Sequence, residues 1–548
     1  MPISVTTWAQ LNSLLTGSQS GLPTDNTIYI SNDITGSSII TVSPNIQNVI
    51  IESDPAATPY PAMWTMTASG GNAVNTRHIQ FSGATAGTQT ATFDNIILDG
   101  NTGVCSRTGT LNAGQNVANV SSGGGGIQTI LMTNGTTNSI LNLNKGVVIQ
   151  NCYTYGAGDN YGGVGTVNIS TRTNANGIAT CNFYGEIRYC KANTTSNNTN
   201  SGGWGGGGGI SIFQYGCNTA TSPNGATVNM YEPGNIHNNY SNYLGGGVYQ
   251  DSWYVPPQCN NLLISEQTYF NMYGGTIQNN QAQFGGGGYA QGGNTDDWTQ
   301  ATFSGGTIAN NTATGDIQNF SQQNGPPYTI PQGCGGGIWL MDGIVTINEG
   351  MIIENNIANG GYGGAVYSGI AKGQYVNNNI NLAPIVVVNG GNFIANQAAQ
   401  GAAIYNNLPA MPSSYTGQEG VNVNGGWFQQ HVTTGSGAVF GSAAGLITLN
   451  ASSGALPTLP IDPNTPQSGC IAVFNNSSDV DGGVIANSPP SAQTSSFIAT
   501  NVYFYQNKAP NGRGGVLYSS GSGATNQFNA CLIDSNSALT GGAYYIDQ

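Results

Sequence analysis

The sequence predicts an all-β chain folded as a single parallel β-helix (β-solenoid), with a short N-terminal capping helix and long insertion loops. Three observations predict this class: a composition rich in glycine and poor in charge, two short motifs that recur along the chain, and alternating apolar and polar runs between them. A run such as Ile344-Val345-Thr346-Ile347-Asn348 has the period of a β-strand.

The composition argues against helical and collagen-like folds. Glycine contributes 83 of 548 residues, and charged residues make up 6% of the chain, against about 25% in ordinary soluble domains. Glycine destabilises helix interiors by about 1 kcal/mol per position, and helix surfaces usually carry the Lys, Glu and Arg that are scarce here. Glycine does not fall at every third position, which collagen requires.

The charge balance and the length of the apolar runs exclude two classes of partner. The chain has 9 Lys and Arg against 23 Asp and Glu, a formal net charge of −14. Without a basic stripe there is no electrostatic basis for binding nucleic acid. We also expect no membrane insertion, because no apolar run reaches the roughly 18 residues that a spanning helix needs.

The first motif is an apolar residue followed three positions later by asparagine, often after a pair of glycines. Stacked rungs would place these asparagines above one another, where each amide hydrogen-bonds to the next and avoids an unpaired buried polar group. His431 and Cys190 take the asparagine position in two copies. The predicted ladder consists of Asn151, Asn239, Asn280, Asn311, Asn356, Asn396, Asn507 and Asn536.

The second motif is a glycine pair followed by a small residue, an apolar residue and an aromatic residue. If the apolar residue points inward, strand alternation points the aromatic residue outward. The resulting stripe would either dock sugars or a neighbouring subunit, or be a side-chain stack covered by the insertion loops. The candidate stripe consists of Tyr249, Trp339, Tyr367, Tyr405, Phe440, Tyr518 and Tyr545.

The pattern divides the chain into residues 1–20, an N-terminal cap helix; 21–140, the first β-helix rungs with loops; and 141–548, Gly/Asn-rich repeats. Val5, Trp8, Leu11 and Leu15 have helical spacing, after Thr6 and Thr7 as candidate caps. No cap is visible after the last repeat. We expect this rung to be covered by a partner, a returning loop or another copy, and deletion of 531–548 to disturb assembly more than rung stability.

The paired motifs, as in Phe393-Ile394-Ala395-Asn396 followed by Gly401-Ala402-Ala403-Ile404-Tyr405, resemble the FxxN and GGA[ILV] repeats of the chlamydial polymorphic membrane proteins. That resemblance covers roughly residues 140–548 and implies a right-handed parallel β-helix acting as a surface adhesin. The N-terminal pattern of a Trp-containing helix before Ile-rich strands resembles pectate-lyase-like β-helices, including those of viral appendage proteins.

Few residues are candidates for chemistry. Enzymes that resemble this fold use clustered carboxylates, and glycoside hydrolysis needs two acidic groups. We considered Asp296-Asp297-Trp298 as a loop pair, Glu186 and Arg188 with Glu232 across rungs, and Glu349, Glu354 and Lys372 as a further set. Solvated turns and ordinary ion pairs explain each set better. No catalytic residue is therefore predicted.

No cofactor or metal site is predicted either. Asp479 and Asp481 offer only two carboxylates, short of the six to eight oxygens that calcium prefers. The nine scattered cysteines fit small buried hydrophobic residues, with a disulfide such as Cys181–Cys190 as the alternative.

The sequence therefore predicts a non-enzymatic structural or adhesive surface protein. The first expectation is a virion-exposed component, such as a capsid decoration, fibre or vertex protein, contacting host glycans or other structural proteins of its particle; homo-oligomers are left open. The first alternative is a cell-surface or secreted adhesin, and the second is a polysaccharide lyase or glycoside hydrolase on a β-helix. Its N-terminus lacks the basic and apolar segments of a secretory signal, and we expect the protein on a virion surface or in an extracellular or cell-surface location.

Overall fold

The structure, a computed structural model, is built almost entirely of parallel strands stacked in order, so the chain is the predicted parallel β-helix. By its internal contacts the chain divides into two compact units, Met1–Asn280 and Gln281–Gln548. The residues that the structure describes are 2–67, 77–84, 87–131, 138–156, 165–171, 177–194, 206–215, 224–253, 266–292, 299–315, 333–341, 343–369, 384–408, 420–463, 465–489 and 493–547.

In a full rung the chain passes through four strands, which we number as the first to fourth sheet in the order in which the chain meets them. The apolar residue of the first motif lies on the second sheet. A third-sheet strand of two to six residues follows it, and the glycine-rich second motif then leads into the fourth-sheet strand. Successive strands pair in parallel and in register, as Ile149 does with Ile187 and Ile187 with Ile236. Alternate side chains of the first and second sheets therefore form continuous inward rows.

The first unit contains the N-terminal helix Trp8–Leu15 and two short 3₁₀ helices, Gln19–Gly21 and Val117–Asn119. Its strands are Ile3–Val5, Thr27–Ile30, Asn48–Ser53, Gln89–Asp94, Ser139–Leu143, Ile178–Phe183, Asn224–Met230 and Glu266–Met272 in the first sheet; Ile34–Gly36, Met63–Met66, Ile97–Asp99, Val148–Gln150, Glu186–Arg188, Asn235–His237 and Thr276–Gln278 in the second; Tyr153–Gly156, Lys191–Thr194 and Tyr240–Ser241 in the third; and Ile40–Thr41, Ile79–Phe81, Ile127–Leu131, Val167–Thr171, Ile210–Tyr215 and Val248–Trp253 in the fourth.

The N-terminal helix forms where the spacing predicts it. Thr7 is its N-cap: the Thr7 side chain accepts from the backbone N–H of Gln10, and the Gln10 side chain accepts from the Thr7 backbone N–H, which satisfies two donors that helix starts leave unpaired. Leu11 and Leu15 are fully buried, so the helix packs its apolar side onto the first rungs.

In the second unit one strand, Phe440–Asn450, runs from the fourth sheet into the first without interruption. The other strands are Thr299–Phe303, Ile344–Ile347, Ile385–Val388, Gly420–Val423, Ser495–Thr500 and Ala524–Asn529 in the first sheet; Gly306–Ala309, Met351–Glu354, Asn392–Ile394, Gly426–Gln429, Ile471–Phe474, Val502–Tyr505 and Leu532–Asp534 in the second; Gln281–Ala282, Thr312–Ala313, Ile357–Ala358, Gln397–Ala398, Val432–Thr433, Ser477–Ser478, Lys508–Arg513 and Ser537–Thr540 in the third; and Tyr289–Gln291, Ile338–Leu340, Val366–Gly369, Ile404–Asn407, Ile485–Asn487, Leu517–Ser520 and Tyr544–Asp547 in the fourth.

The asparagine ladder runs along the turn after each second-sheet strand. In the second unit, the Asn356 side chain accepts from both the backbone and the side-chain nitrogen of Asn311, at 3.0 Å each, and donates to Asn396 Oδ1 at 3.0 Å. The same pattern joins Asn239 to Asn280 in the first unit. His431 stands in the series, its Nδ1 accepting from the Asn396 backbone N–H. Asn476, which the motif search passed over, bonds to Asn507 in the same way.

A second asparagine explains why the motif so often ends in Asn-Asn. The residue immediately before the ladder position has a positive φ, for example +53° at Asn355 and +54° at Asn279. Among residues with a Cβ, asparagine is one of the few that enters this left-handed region readily. The first asparagine therefore turns the chain, and the second stacks on the equivalent asparagines of neighbouring rungs.

The register corrects the prediction for Asn151. Ile149 pairs with Ile187, so Cys152 aligns with Cys190 at the ladder position and Asn151 occupies the turn, with φ +54°. The Asn151 side chain instead bonds to Asp99 and to the backbone of Cys105. The ladder prediction is therefore wrong by one residue at this rung.

The first glycine of the second motif turns the chain, and the second allows close approach between rungs. Gly363 has φ +68°, and a Cβ added at Gly364 would lie 2.5 Å from the carbonyl oxygen of Gln397. The Ser, Thr, Asn, Gly and Pro content of the sequence predicts insertion loops at 192–209, 251–262, 312–334 and 441–470. The last of these begins later than predicted: residues 441–450 belong to a strand, and the described residues 451–463 and 465–470 form the loop. Most of the expected loops 192–209, 251–262 and 312–334 lies outside the described residues.

We predict that Asn356→Gly destabilises the protein by about 3 kcal/mol, because it leaves the two buried Asn311 donors without their acceptor. Asn355→Gly is the matched control: the neighbouring residue is exposed and has a positive φ that glycine adopts readily, so its change is within about 0.5 kcal/mol. Urea denaturation of the two variants measures the difference. Equal losses would show that the ladder contributes nothing beyond the turn.

We predict that His431→Asn flattens the fall in stability on acidification. Burial lowers the pKa of His431 to about 3, from an ordinary value of 6.5. Between these values the unfolded chain binds a proton that the folded chain does not, so folding stability falls as the pH falls. From about pH 7 to pH 5 this contribution is about 2 kcal/mol, and urea midpoints across that range measure it. An unchanged slope in the variant would contradict the assignment.

Candidate functional site

The structure does not expose most of the predicted aromatic stripe. Tyr249, Trp339, Tyr367 and Tyr405 lie on the outward row of the fourth sheet, yet all four are at most 5% exposed. Trp339, Tyr367 and Tyr405 stack with ring centroids 6.5 and 6.1 Å apart. A continuous solvent-facing stripe is therefore wrong for these residues, and the alternative of a covered stack describes them.

Phe440 is also misplaced by the prediction. Its backbone pairs with Ile404, an inward core residue, and Gly441 pairs with Tyr405. The centroid of the Phe440 ring lies 5.1 Å from that of the Phe428 ring inside the core. The motif here has one residue fewer between its glycine and its aromatic residue, which moves the aromatic residue from the outer to the inner row.

Tyr518 and Tyr545 are the two partly exposed members, and they bind a cation of the same chain. Arg513 lies 4.5 Å from the centre of the Tyr518 ring and 4.8 Å from that of Tyr545. Two Arg513 nitrogens contact the Asp481 carboxylate at 2.9 and 3.1 Å. Asp481, one of the two calcium candidates, is thus already paired with an arginine.

The acidic candidate at Glu186 forms a structural ion-pair cluster. Glu186 accepts from Arg188 at 2.9 Å and contacts His237 Nε2 at 2.6 Å. Burial raises the pKa of Glu186, but the hydrogen bond from His237 and the charge of Arg188 outweigh it, so the pKa is lowered. The expected partner Glu232 instead accepts from the backbone of Gly275. Arg188 and the hydrogen bond to His237 therefore favour the ionised form of the Glu186 carboxylate, as expected of a structural ion pair.

A cleft of about 330 Å³ lies in the second unit and contains one of the other acidic candidates. The Glu349 carboxylate accepts from the Ser468 hydroxyl there. Among the lining residues that the structure describes, Glu349 is the only ionisable side chain, so they do not supply the second carboxyl that glycoside hydrolysis requires. Its lining is Glu349, Gly350, Met351, Ile352, Gly390, Gly391, Asn392, Gly426, Pro466, Gln467, Ser468 and Gly469.

Asp296-Asp297-Trp298 and Lys372 lie outside the described residues. Cys181 and Cys190 are free and fully buried, so the alternative disulfide between them is not formed. Burial lowers the pKa of His78 to about 4, and this histidine is held between the Trp64 carbonyl oxygen and the Gly126 backbone N–H.

The strongest candidate site is an uncharged outer surface of the first sheet, which we call the amide–tyrosine face. Its middle column is a second, outward asparagine ladder, in which each side-chain N–H donates to the Oδ1 of the preceding rung at 2.9 to 3.1 Å. In register, its columns are Ile140, Thr180, Thr227 and Tyr269; Asn142, Asn182, Asn229 and Asn271; and, at the turn, Asn144, Tyr184, Tyr231 and Tyr273.

The tyrosines of the turn column form a stack. The centroid of the Tyr231 ring lies 4.7 Å from that of Tyr184 and 5.2 Å from that of Tyr273, with interplanar angles of 11° and 18°. Burial raises the pKa of Tyr231, and the neighbouring Tyr184 and Tyr273 add to the shift. Tyr273 is 51% exposed. The face therefore presents phenol edges and amides at a fixed spacing, with no carboxyl, imidazole, amino or guanidinium group in its columns.

This face lies outside the two motifs described above, although a repeated tripeptide in the sequence indicates it. The tripeptides Asn182-Phe183-Tyr184, Asn229-Met230-Tyr231 and Asn271-Met272-Tyr273 repeat one pattern. Each places asparagine outward, an apolar residue inward and tyrosine outward at the turn. A search for outward positions, rather than for glycine pairs, would have found it.

Comparison with protein-family models, with curated proteins and with solved structures finds no match to this chain. In the part of the chain that the structure describes, no helix has the length and apolar character to cross a membrane. Within the same residues, no three His, Cys, Asp or Glu side chains are grouped so that they could hold a metal ion.

We predict that tyrosine nitration separates the two aromatic sets. Tyr273 is 51% exposed and should react readily in the native protein, whereas Tyr249 and Tyr367 are at most 1% exposed and should react only after unfolding. Peptide mass spectrometry of native and urea-unfolded samples measures both. Native labelling of Tyr367 at the rate of Tyr273 would contradict the burial described for the fourth sheet.

Proposed function

We propose that this protein is a non-enzymatic structural or adhesive β-helix of an exposed surface, acting through contact. The amide–tyrosine face carries the proposal, because a regular uncharged array of fixed hydrogen-bonding groups suits recognition by shape. The ion-pair contacts support it: Glu186 and Asp481 are paired with arginines, which leaves them poor candidates for acid–base catalysis.

Within this class, our proposal is a virion-exposed component, with a cell-surface or secreted adhesin as the alternative. The N-terminal helix Trp8–Leu15, followed by Ile-rich strands, supports the resemblance to β-helices of viral appendage proteins. Polysaccharide lyase or hydrolase activity is the second alternative, although the described lining of the cleft at Glu349 supplies one carboxylate where glycoside hydrolysis requires two.

Location and activity can be tested separately on the native material. Antibodies against the folded protein should label the outside of intact particles or cells, and gradient fractionation should recover the protein with the virions. Labelling only after lysis would overturn the surface assignment. Incubation with acidic and neutral polysaccharides should produce no new reducing ends and no unsaturated products. Release of either would replace the adhesive proposal with the enzymatic one.

A further inference from the structure

We propose that the amide–tyrosine face binds an extended, neutral polysaccharide lying along the direction in which the rungs stack. This inference rests on the proposed function and names its ligand class. It concerns residues 140–273 of the first unit, whose outward columns are defined above. Three properties of the face carry the proposal: its charge, its free hydrogen-bonding capacity and its period.

The charge of the face selects against ionic ligands. None of the twelve side chains in its three columns is charged, in a chain whose formal net charge is −14. An anionic polysaccharide would gain no ion pair in these columns and would be repelled by the protein as a whole. A neutral glycan avoids both penalties, and its hydroxyl groups match amide and phenol groups.

The ladder leaves hydrogen-bonding capacity for a ligand. Asn182 and Asn229 each donate one side-chain N–H to the preceding amide and accept one from the following amide. An asparagine amide has two N–H donors and an oxygen with two lone pairs, so each retains one donor and one acceptor. A sugar hydroxyl both donates and accepts, and can use both groups of one amide.

The period of the face matches a repeating ligand. Rungs are separated by about 4.8 Å, so amides and phenols recur at that interval. The ring centroids of Tyr184, Tyr231 and Tyr273, 4.7 and 5.2 Å apart, follow the same spacing. An extended glycan advances by one sugar ring over a similar length, and successive rings would therefore meet equivalent groups. Because the amide ladder and the ring stack already hold these side chains, little conformational entropy is lost on binding.

The test uses affinity electrophoresis and titration calorimetry of the full chain. Probes are neutral polymers (β-1,4-glucan, mannan and chitin oligosaccharides of two to eight rings) and anionic ones (heparin and polygalacturonate). We expect at least one neutral series to bind. Its affinity should rise with length up to about four rings, because the face spans four rungs, and then level off. Preferential binding of the anionic polymers would overturn the proposal.

The variants Asn229→Ala and Tyr231→Ala remove the centre of two columns. Each should weaken neutral-glycan binding by about 3- to 10-fold, the loss of one or two hydrogen bonds or contacts. The matched controls are Asn389→Ala, an outward ladder asparagine of the second unit, and Tyr60→Ala, a tyrosine that is 50% exposed elsewhere. Both controls should bind as the unmodified protein does. Thermal melting separates lost binding from lost folding.

Two outcomes distinguish this inference from the proposed function. Surface labelling of native particles without any neutral-glycan binding would overturn only the ligand assignment. Glycan binding that survives Asn229→Ala and Tyr231→Ala unchanged would also overturn it, because the site would then lie elsewhere. Sedimentation that shows a dimer dissociated by Tyr231→Ala would assign the face to a second copy of this chain instead.

Discussion

In-register parallel stacking is the constraint on which the rest of the structure depends. Each residue of a rung lies about 4.8 Å from its equivalents in the rungs on either side. A position therefore accepts only a side chain that interacts favourably with copies of itself. Apolar groups meet this condition inside, as Ile149 and Ile187 do. Amides meet it at the turn and tyrosine rings on the surface, as Asn356 with Asn396 and Tyr184 with Tyr231 show. Repeated like charges do not, which explains why only 6% of the chain is charged.

The two charged clusters described above fit the same constraint, whereas Glu52 pairs with Asp94 across neighbouring rungs, and burial and the Asp94 charge raise the pKa of Glu52. Glu186 contacts Arg188 in its own rung and the His237 ring in the next rung, and not another carboxylate. Arg513 lies between aromatic rings and the Asp481 carboxylate. Such pairs maintain the stack but engage the groups that acid–base chemistry would need, which is consistent with our proposal that this protein acts through contact.

The elements that depend on local residue spacing could be predicted from the sequence. The helix Trp8–Leu15, the strand repeats and most of the ladder follow from local periodicity and spacing. The row to which a side chain belongs could not be predicted where it depends on the exact number of residues in the motif or on which apolar residue starts it. Asn151 and Phe440 are each one residue from the predicted row. At Asn151 the inward apolar residue of the motif is Ile149 and not Val148, and at Phe440 the motif is one residue shorter, so the aromatic residue moves to the other face of the strand. The burial of Tyr367 depends on residues distant in sequence that cover it, and no local pattern encodes that cover.

The inward and outward rows are both built by in-register stacking, but the two differ in which residue changes they tolerate. Inside, the apolar rows must fill a shared core, so a change in one rung is felt by its neighbours. At the outer turn column the two units already differ: the first presents Tyr184, Tyr231 and Tyr273, and the second presents Asn348, Asn389 and Asn424, joined by their own amide hydrogen bonds. The outward columns can thus change their chemistry while the core and the turn ladder stay the same. Under our proposal, a surface of this kind would recognise a ligand that repeats at the spacing of its rungs, and its side chains would select which repeating ligand that is.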